Sequence, residues 1–294
     1  MLVLHTKDFG EFAKAGNPVD IMPWLKYVMP GKVKKFLQLV NMVVSFRKRK
    51  VAEHLEMFQE HNLRDATDGF ISAVKKGRKN GDFQELSDEQ IYSSIEDIVG
   101  AGYDTMSTLI EWVIVCMTVF QNIQTKVQEE IDRVIGQRKP CVKDKGSLPY
   151  VEATILEIMR FSTISPLGLP HVAKKDTMLK HYFIPKGTVT FSNFYAVAHD
   201  ARYWRTPENF DPRRFLTKNN EIDTDALGNV LTFGLGKRRC LGEFLAKAEI
   251  FIIFTTLLQQ CTFQRVEGFT YNLSGGGGLT HEPSPYKVKV SRRY

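Results

Sequence analysis

Apolar residues recur at helical spacing along most of this chain. The longest such pattern follows Ser87-Asp88-Glu89-Gln90, which has the form of a capping box in which Ser87 caps the helix and Gln90 reaches back. Apolar positions then keep a helical period as far as about Phe120. The pattern predicts one helix of roughly thirty residues, which is longer than usual in globular proteins and typical of a strut that crosses a whole domain.

Shorter helical patterns cover most of the remaining chain. The predicted segments are residues 1–16, about 32–61, the stretch that begins at Asp65 and ends in the polar linker Lys75 to Asp82, about 122–136, the stretch that begins at Leu148, and an apolar stretch from Cys240 through Phe244 to about Leu258.

Strand-like patterns are short and lie in the second half of the chain. Tyr182–Ile184 and Thr188–Phe191 flank Pro185-Lys186-Gly187, in which proline and glycine occupy positions that a hairpin turn favours. This is the one clear sheet region, and a further alternating strand is predicted at Tyr286–Val290. We therefore expect a mainly α fold with a small β-sheet.

The apolar segment from Ile21 to Pro30 is bounded by prolines and has two interpretations. It could pack into the core beneath a loop, or it could form a surface that dips into a membrane or borders a substrate entrance. The residues alone do not choose between these interpretations.

Composition and charge describe a globular chain of basic character. Its 294 residues are 43% hydrophobic, the net charge is +7 and the mean hydropathy is −0.23. The charge favours acidic partners or an anionic membrane surface, and nucleic acid is disfavoured because no nucleic-acid module accompanies the charge. No apolar run has the length of a membrane span and no signal peptide follows Met1, so we expect no span within the chain. The cysteines have no paired spacing, which favours a reducing compartment without disulfides.

The segment Phe233-Gly234-Leu235-Gly236-Lys237-Arg238-Arg239-Cys240-Leu241-Gly242 carries the most specific signal. The start of a predicted helix and the basic side chains before it both favour a thiolate at Cys240. Gly236 and Gly242 lack a Cβ and therefore permit the close approach of a flat ligand.

Other interpretations of this loop fit the sequence less well. A cysteine phosphatase needs an arginine six residues after its nucleophile, where this chain has Ala246. A phosphate-binding loop needs serine or threonine after Lys237, where Arg238 stands. A zinc site lacks a second cysteine or histidine at ligand spacing. An inert, buried cysteine beside a solvated basic run is the plain alternative.

The pattern of Phe233, Gly236, Arg238, Cys240 and Gly242 resembles the cysteine loop of the cytochrome P450 superfamily of haem-thiolate monooxygenases. The resemblance implies that Cys240 is the axial ligand of the iron of haem b and that Phe233 shields its sulfur. It further implies haem contacts at Gly234 and Gly242, and a haem propionate held by Arg238, whose guanidinium suits a carboxylate.

The long predicted helix contains Gly100-Ala101-Gly102-Tyr103-Asp104-Thr105. Glycines inside a helix cost stability, and the hydroxyl of Thr105 can bond to the carbonyl of Ala101 and bend the helix. The segment resembles the family's Ala-Gly-x-Asp-Thr pattern. That implies a long central helix over the haem, an oxygen pocket at Ala101, a hydrogen bond from Thr105 to oxygen and proton transfer through Asp104. A threonine that merely bonds within its own kinked helix is the alternative.

Two more landmarks concern the haem surroundings. Glu157 and Arg160 share one face of a predicted helix, and an exposed pair of this kind contributes only about 0–1 kcal/mol. The resemblance implies instead a buried structural triad beneath the haem, with Arg214 as its second arginine. It also places His171 where the family often binds a propionate, although a lone histidine is more often an ordinary core or surface residue.

These landmarks occur in the family's order over most of the chain, and further details resemble animal microsomal enzymes of the aromatic-hydrocarbon and steroid 17-hydroxylase families. We expect residues 1–294 to form a single partial domain, the C-terminal part of the cytochrome P450 fold, without the membrane anchor and early helices of the family. Gly275-Gly276-Gly277-Gly278 is unusual where the family has a turn that reaches the substrate.

The implied activity is a monooxygenase that inserts one atom of O2 into a small hydrophobic substrate such as a xenobiotic, a steroid or a fatty acid. Electrons would come from NADPH-cytochrome P450 reductase docking near Lys237 and Arg239, with cytochrome b5 as a further partner, beside a membrane surface on the cytosolic face of the endoplasmic reticulum. Two alternatives stay open. The chain could be a truncated product that binds haem or partners without catalysis, or a helical scaffold in which Cys240 is an ordinary core residue.

Overall fold

The computed structural model describes residues 25–28, 30–81, 87–277 and 280–294. The chain divides into two compact units, Met1–Asp104 and Thr105–Tyr294, and the division falls inside one long helix. The helix predicted at residues 1–16 lies outside the described residues, as do residues 21–24 and 29 of the segment from Ile21 to Pro30. Within that segment, Leu25–Val28 is a short helix and Pro30 begins the next one.

Helices dominate both units and are numbered here in chain order. They are α1 (Leu25–Val28), α2 (Pro30–Glu56), α3 (Ala66–Lys79), α4 (Asp88–Val119), α5 (Gln121–Val134), α6 (Pro149–Ser162), α7 (Phe194–Ala198), α8 (Thr224–Leu227) and α9 (Glu243–Gln260). Single turns of 3-10 helix lie at Val142–Asp144, Pro212–Phe215 and Gly236–Arg238.

In the first unit, α2 and α3 pack together with the start of α4. Their contact is an apolar cluster of buried side chains, Val51, Ile71, Val74 and Ile95. Asp65 caps α3 by accepting hydrogen bonds from the N–H groups of Thr67 and Asp68, which confirms the predicted start of this helix. The predicted linker from Lys75 is wrong at its start, because α3 continues to Lys79. The basic residues of its last turn interact favourably with the helix dipole.

The predicted capping box and long helix are both confirmed. The Ser87 N–H donates to Gln90 Oε1 at 2.8 Å, and the Gln90 N–H donates to Ser87 Oγ at 3.2 Å. From this cap α4 runs unbroken to Val119.

The core of the second unit is formed by α5, α6, α9 and the C-terminal half of α4. Its largest fully buried apolar side chains include Trp112, Met117, Ile158, Phe251 and Phe254. Side-chain amides of α5 extend this core to the sheet, since Gln124 exchanges hydrogen bonds of 2.8 Å with both main-chain groups of Phe263.

In the described residues the strands form four small antiparallel pairs, all in the second unit. They are β1 (His171–Val172) with β4 (Val189–Thr190), β2 (Thr177–Leu179) with β3 (Tyr182–Ile184), β5 (Cys261–Gln264) with β8 (Lys289–Arg292), and β6 (Gly276–Gly277) with β7 (His281–Glu282). Strand pairs therefore occur at β5 with β8 and at β6 with β7 in addition to the one region that the sequence indicated clearly. The last strand also lies slightly later than Tyr286–Val290, because its pairing with β5 fixes its position.

The predicted hairpin between Tyr182–Ile184 and Thr188–Phe191 is wrong. β3 folds back on β2 instead, through a turn in which Lys180 adopts a φ of 53°, and β4 returns to β1. The N–H of Gly187 in the predicted turn donates to the carbonyl oxygen of Ala173 at 2.8 Å, which directs the chain toward β1. The residues Pro185-Lys186-Gly187 thus connect β3 to β4, which are consecutive in sequence but pair with different strands.

Among the described residues, no single helix combines the length and the apolar composition needed to cross a membrane. One bent pair, Ser93–Val119 with Gln121–Val134, meets that test by length and composition only.

Candidate functional site

The cysteine segment forms a closed loop immediately before α9. Gly242 is the N-cap residue of α9, and Leu241 separates it from Cys240, so Cys240 lies just before the start of the helix. The Cys240 N–H donates to the carbonyl oxygen of Phe233 at 2.7 Å, and this bond closes the loop. Gly234 and Gly236 adopt φ values of 71° and 72°, which residues with a Cβ rarely occupy. The backbone path that presents Cys240 therefore depends on glycine at both positions.

The thiol of Cys240 and the apolar side chains near it in sequence are exposed to solvent. Leu235 is 72% exposed, Leu241 is 77% exposed and Phe244 is 87% exposed, while Cys240 is exposed as well. Cys116, by contrast, is buried in the core. Large apolar side chains left in solvent around one thiol are typical of a surface that receives a ligand or partner. The alternative in which Cys240 is an ordinary core residue is therefore wrong.

A cavity of about 350 Å³ adjoins the loop. Its lining includes Leu235 and Arg238 from the loop, His171 from β1 and Phe194 from α7. The structure thus brings together on one cavity the two basic side chains that the sequence singled out as propionate partners. A cavity bordered by apolar surface and two basic groups suits a ligand with an apolar body and acidic substituents.

The segment from Ala101 to Thr105 lies within α4, which continues through its glycines without a break. Ala101 and Asp104 are exposed, and Thr105 is half-buried. The division between the two units falls between Asp104 and Thr105. The roles expected of these residues toward oxygen and protons stay predictions.

Glu157, Arg160 and Arg214 form one ion network in the second unit. Arg160 donates from Nε and Nη2 to the two carboxylate oxygens of Glu157 at 2.7 and 2.9 Å, and Arg214 Nε donates to Glu157 Oε1 at 3.1 Å. The side chains of Glu157 and Arg160 are fully buried, and that of Arg214 is 10% exposed. The exposed-pair alternative therefore does not describe this site.

The network also holds main chain that precedes the 3-10 turn at Pro212–Phe215. Arg160 Nη1 donates to the carbonyl oxygen of Ala198 at 2.8 Å, and Arg214 Nη2 donates to that of Asn209 at 2.9 Å. The N–H of Asp211 donates to Glu157 Oε1 at 2.8 Å. These main-chain partners were not predicted, because a carbonyl or amide group of the backbone leaves no trace in residue type.

The exposed apolar border of the loop was also missed. Phe244 was counted with the apolar residues of the following helix, but the side of α9 that is buried carries Phe251, Phe254 and Leu258. The sequence signal that could have indicated this exposed apolar border is the presence of Leu235 and Leu241 in a loop rich in glycine and basic residues.

Comparison with known proteins decides the family. The family model described as Cytochrome P450 matches residues 6–290. The chain belongs to the cytochrome P450 family. This cytochrome P450 chain is 40% identical to cytochrome P450 1B1 of Homo sapiens over 99% of its own length, 39% identical to cytochrome P450 1A5 of Gallus gallus over 93%, and 38% identical to cytochrome P450 1A1 of Homo sapiens over 95%. It covers 55% of each human protein and 52% of the chicken one, so it spans about half the length of these relatives.

The predicted family and the mainly helical fold with small sheets are confirmed. Haem b is the cofactor of cytochromes P450, and the residues of the loop together with His171 of β1 fit this group. They offer an exposed thiol that suits iron, exposed apolar side chains that suit a porphyrin, and basic side chains at Arg238 and His171 that suit its propionates.

Proposed function

We propose that Cys240 is the axial thiolate ligand of haem b and that this chain carries the haem-binding face of a monooxygenase. The observation that carries the proposal is the exposed Cys240 thiol, presented by a glycine-shaped loop beside a cavity that Arg238 and His171 both line. A cysteine that served only the core would be buried and surrounded by apolar groups, as Cys116 is.

The haem, when bound, supplies the oxidising chemistry, in which thiolate-ligated iron activates O2 for the transfer of one oxygen atom to a small hydrophobic substrate. The side chains and main chain of the protein bind the cofactor and substrate, orient them and exclude water.

The loop holds the sulfur in a fixed position. The hydrogen bond from the Cys240 N–H to the Phe233 carbonyl oxygen restrains the cysteine backbone at 2.7 Å. Phe233 packs against the core, with Lys247 Nζ 5.4 Å from the centre of its ring. We assign Phe233 the role of shielding the sulfur, and Gly234 and Gly242 that of allowing the ring of the cofactor to approach.

Arg238 and His171 are the proposed partners of the propionates. Both border the same cavity, and Arg238 can offer two parallel N–H groups to one carboxylate. On the long helix, we assign Ala101 to the oxygen pocket, Thr105 to a hydrogen bond with oxygen, and Asp104 to the inward transfer of protons.

The triad of Glu157, Arg160 and Arg214 has a structural role in this proposal. Its buried charges are mutually satisfied and fasten α6 to the main chain around Asn209 and Asp211. We infer that this rigid support lies beneath the haem and restrains the region that presents Cys240.

The proposed partners follow from family membership and charge. We propose a small hydrophobic substrate, electrons from NADPH-cytochrome P450 reductase or cytochrome b5, and a site on the cytosolic face of the endoplasmic reticulum membrane. Lys237 and Arg239 are exposed within the loop and can steer an acidic partner. Reduction rates should therefore fall steeply as salt is added, and rates that do not change with ionic strength would rule out this docking face.

We further propose that both compact units belong to a single partial cytochrome P450 domain, since the family match spans residues 6–290.

Titration of haem into the purified full chain tests the proposal. The wild-type chain should bind one haem, and Cys240→Ser should bind it much more weakly. Cys141→Ser is the matched control, because Cys141 is also exposed but lies outside the loop, and this variant should bind as the wild type does. If neither the wild-type chain nor Cys141→Ser takes up haem, the alternative stated in the sequence analysis holds, in which the chain is a non-catalytic product.

A further inference from the structure

The indole of Trp204 is buried beside both arginines of the ion network around Glu157. Trp204 is 3% exposed, and the guanidinium carbons of Arg160 and Arg214 lie 5.6 and 6.0 Å from the centre of its ring. At these distances the electron-rich face of the indole attracts a guanidinium cation. Phe215, from the neighbouring 3-10 turn, packs against the same indole with ring centres 5.4 Å apart. Trp204 is therefore held against the ion network.

The N–H of this buried indole has its partner in α7. Trp204 Nε1 donates to the carbonyl oxygen of Val197 at 3.0 Å, and Arg160 Nη1 donates to that of the next residue, Ala198, at 2.8 Å. The last carbonyl groups of a helix have no partner within the helix. α7 has five residues, none of them buried, and a helix this short is marginal in water without tertiary contacts. Trp204 and Arg160 thus stabilise the C-terminal end of a helix that has little stability of its own.

α7 forms part of the wall of the cavity beside Cys240. Phe194 and Val197 of this helix both line the cavity. The ring of Phe194 also lies close to two glycines, because a Cβ on Gly168 would be 2.8 Å from Phe194 Cε2 and a Cβ on Gly234 would be 3.8 Å from Phe194 Cζ. Gly234 belongs to the cysteine loop. α7 therefore connects the ion network with the loop that presents Cys240.

We propose that Trp204 is a positioning residue whose indole N–H fixes α7, and through Phe194 the cysteine loop, relative to the ion network. The inference rests on the proposed function for the meaning of the cavity. The contacts that carry it join side chains and main chain of the protein, so they can be measured without a cofactor.

Exchange of the Trp204 indole proton with solvent deuterium, followed by nuclear magnetic resonance of the wild-type full chain, is the first measurement. We expect this proton to be protected, because the indole is buried and donates to Val197. An indole proton that exchanges as fast as that of free tryptophan would overturn the proposal, and this result needs no variant to fold.

Amide exchange in α7, compared with that in α6, is the second measurement, in the wild type, Trp204→Phe and Phe215→Leu. Phenylalanine can still stack on both guanidinium groups but has no N–H to donate to Val197. The α7 amides should therefore exchange about threefold to tenfold faster in Trp204→Phe, the effect expected of one lost hydrogen bond, and should accelerate more than those of α6.

Phe215→Leu is the matched control for that comparison. Phe215 packs against the same indole but has no N–H in its side chain, so its loss should accelerate α7 no more than α6. Unchanged exchange of α7 in Trp204→Phe, or equal acceleration of α6, would show that the indole serves only as packing and would overturn the proposal. A selective acceleration of α7 of the same size in Phe215→Leu would overturn it as well.

Haem titration of the same three chains keeps this proposal apart from the proposed function. A wild-type chain that never binds haem removes the proposed function, whereas the exchange results decide the role of Trp204 in either case. In haem-loaded chains, Trp204→Phe should release haem faster than the wild type does. Release at the wild-type rate would overturn the link from α7 to the cavity.

Discussion

The guanidinium of Arg160 donates two hydrogen bonds, of 2.7 and 2.9 Å, to the carboxylate of Glu157, and both side chains are fully buried. Removing one partner of a buried pair leaves the other charge without compensation. This single contact therefore predicts a large loss of stability upon substitution.

Glu157→Ala should lower the free energy of unfolding by about 3–5 kcal/mol, because Arg160 and Arg214 would both lose a buried counter-charge. Urea unfolding followed by tryptophan fluorescence measures the change. The control is Glu53→Gln, which removes an exposed ion pair with Lys50 and should leave the midpoint nearly unchanged. Equal effects of the two substitutions would contradict the buried network.

Acid stability should depend on Asp144. Hydrogen bonds from Arg138 lower the pKa of Asp144 from 3.8 to about 2. Because the folded pKa lies below the unfolded one, the contribution is complete above about pH 4 and is lost as the pH falls toward about 2. Asp144→Asn should therefore flatten the decline in the free energy of unfolding over that range.

The control for that experiment is Glu208→Gln, which alters an exposed carboxylate and should keep the wild-type slope. A full slope in Asp144→Asn would show that the ion pair with Arg138 is not the source of acid sensitivity.

Alkylation of the native chain should distinguish its exposed cysteines, which react, from its buried one, which does not. Cys240 and Cys141 are exposed and should react with iodoacetamide, whereas Cys116 is buried and burial raises the pKa of its thiol, so it should not. Bound haem should then protect Cys240 and leave Cys141 reactive. Mass spectrometry of the labelled peptides measures both effects, and equal labelling of Cys240 with and without haem would contradict its role as ligand.

The cysteine loop should be sensitive to a single methyl group. Gly236→Ala places a Cβ at a φ of 72° with open space around it. The loss of stability therefore comes from backbone strain alone, roughly 1–2 kcal/mol. We expect this strain to weaken the retention of haem. Gly69→Ala in α3 also meets open space, but at an ordinary helical φ, and should stabilise the first unit by about 0.5–1 kcal/mol. Haem retention during gel filtration compares the variants, and normal retention in Gly236→Ala would contradict the strained loop.

Local features were predictable because their signals are local. The capping box at Ser87 and Gln90 needs only four consecutive residues, and the Glu157–Arg160 pair needs only helical spacing. The cysteine loop was recognisable because its pattern, from Phe233 to Gly242, lies within one short segment, and the positive φ of Gly236 explains the need for glycine at that position.

Features that depend on distant partners were not predictable. The strand Tyr182–Ile184 pairs with Thr177–Leu179 because the chain turns at Lys180, a residue type that rarely adopts positive φ. The exposure of Phe244 depends on which side of α9 meets the core, and its own residue type indicates the opposite. The ring of His281 contacts the carbonyl oxygen of Ser162, and the carbonyl oxygen of His281 accepts from Trp112 Nε1; both partners are far away in sequence, where no spacing rule reveals them.

The central claim is the bond from the Cys240 sulfur to haem iron, and the carbon monoxide difference spectrum of the reduced, haem-loaded full chain tests it most directly. Thiolate ligation predicts a strongly red-shifted absorption band in the wild type and in Cys141→Ser, and loss of that band in Cys240→Ser. The same red-shifted band in Cys240→Ser, or its absence from a wild-type chain that has bound haem, would contradict the account.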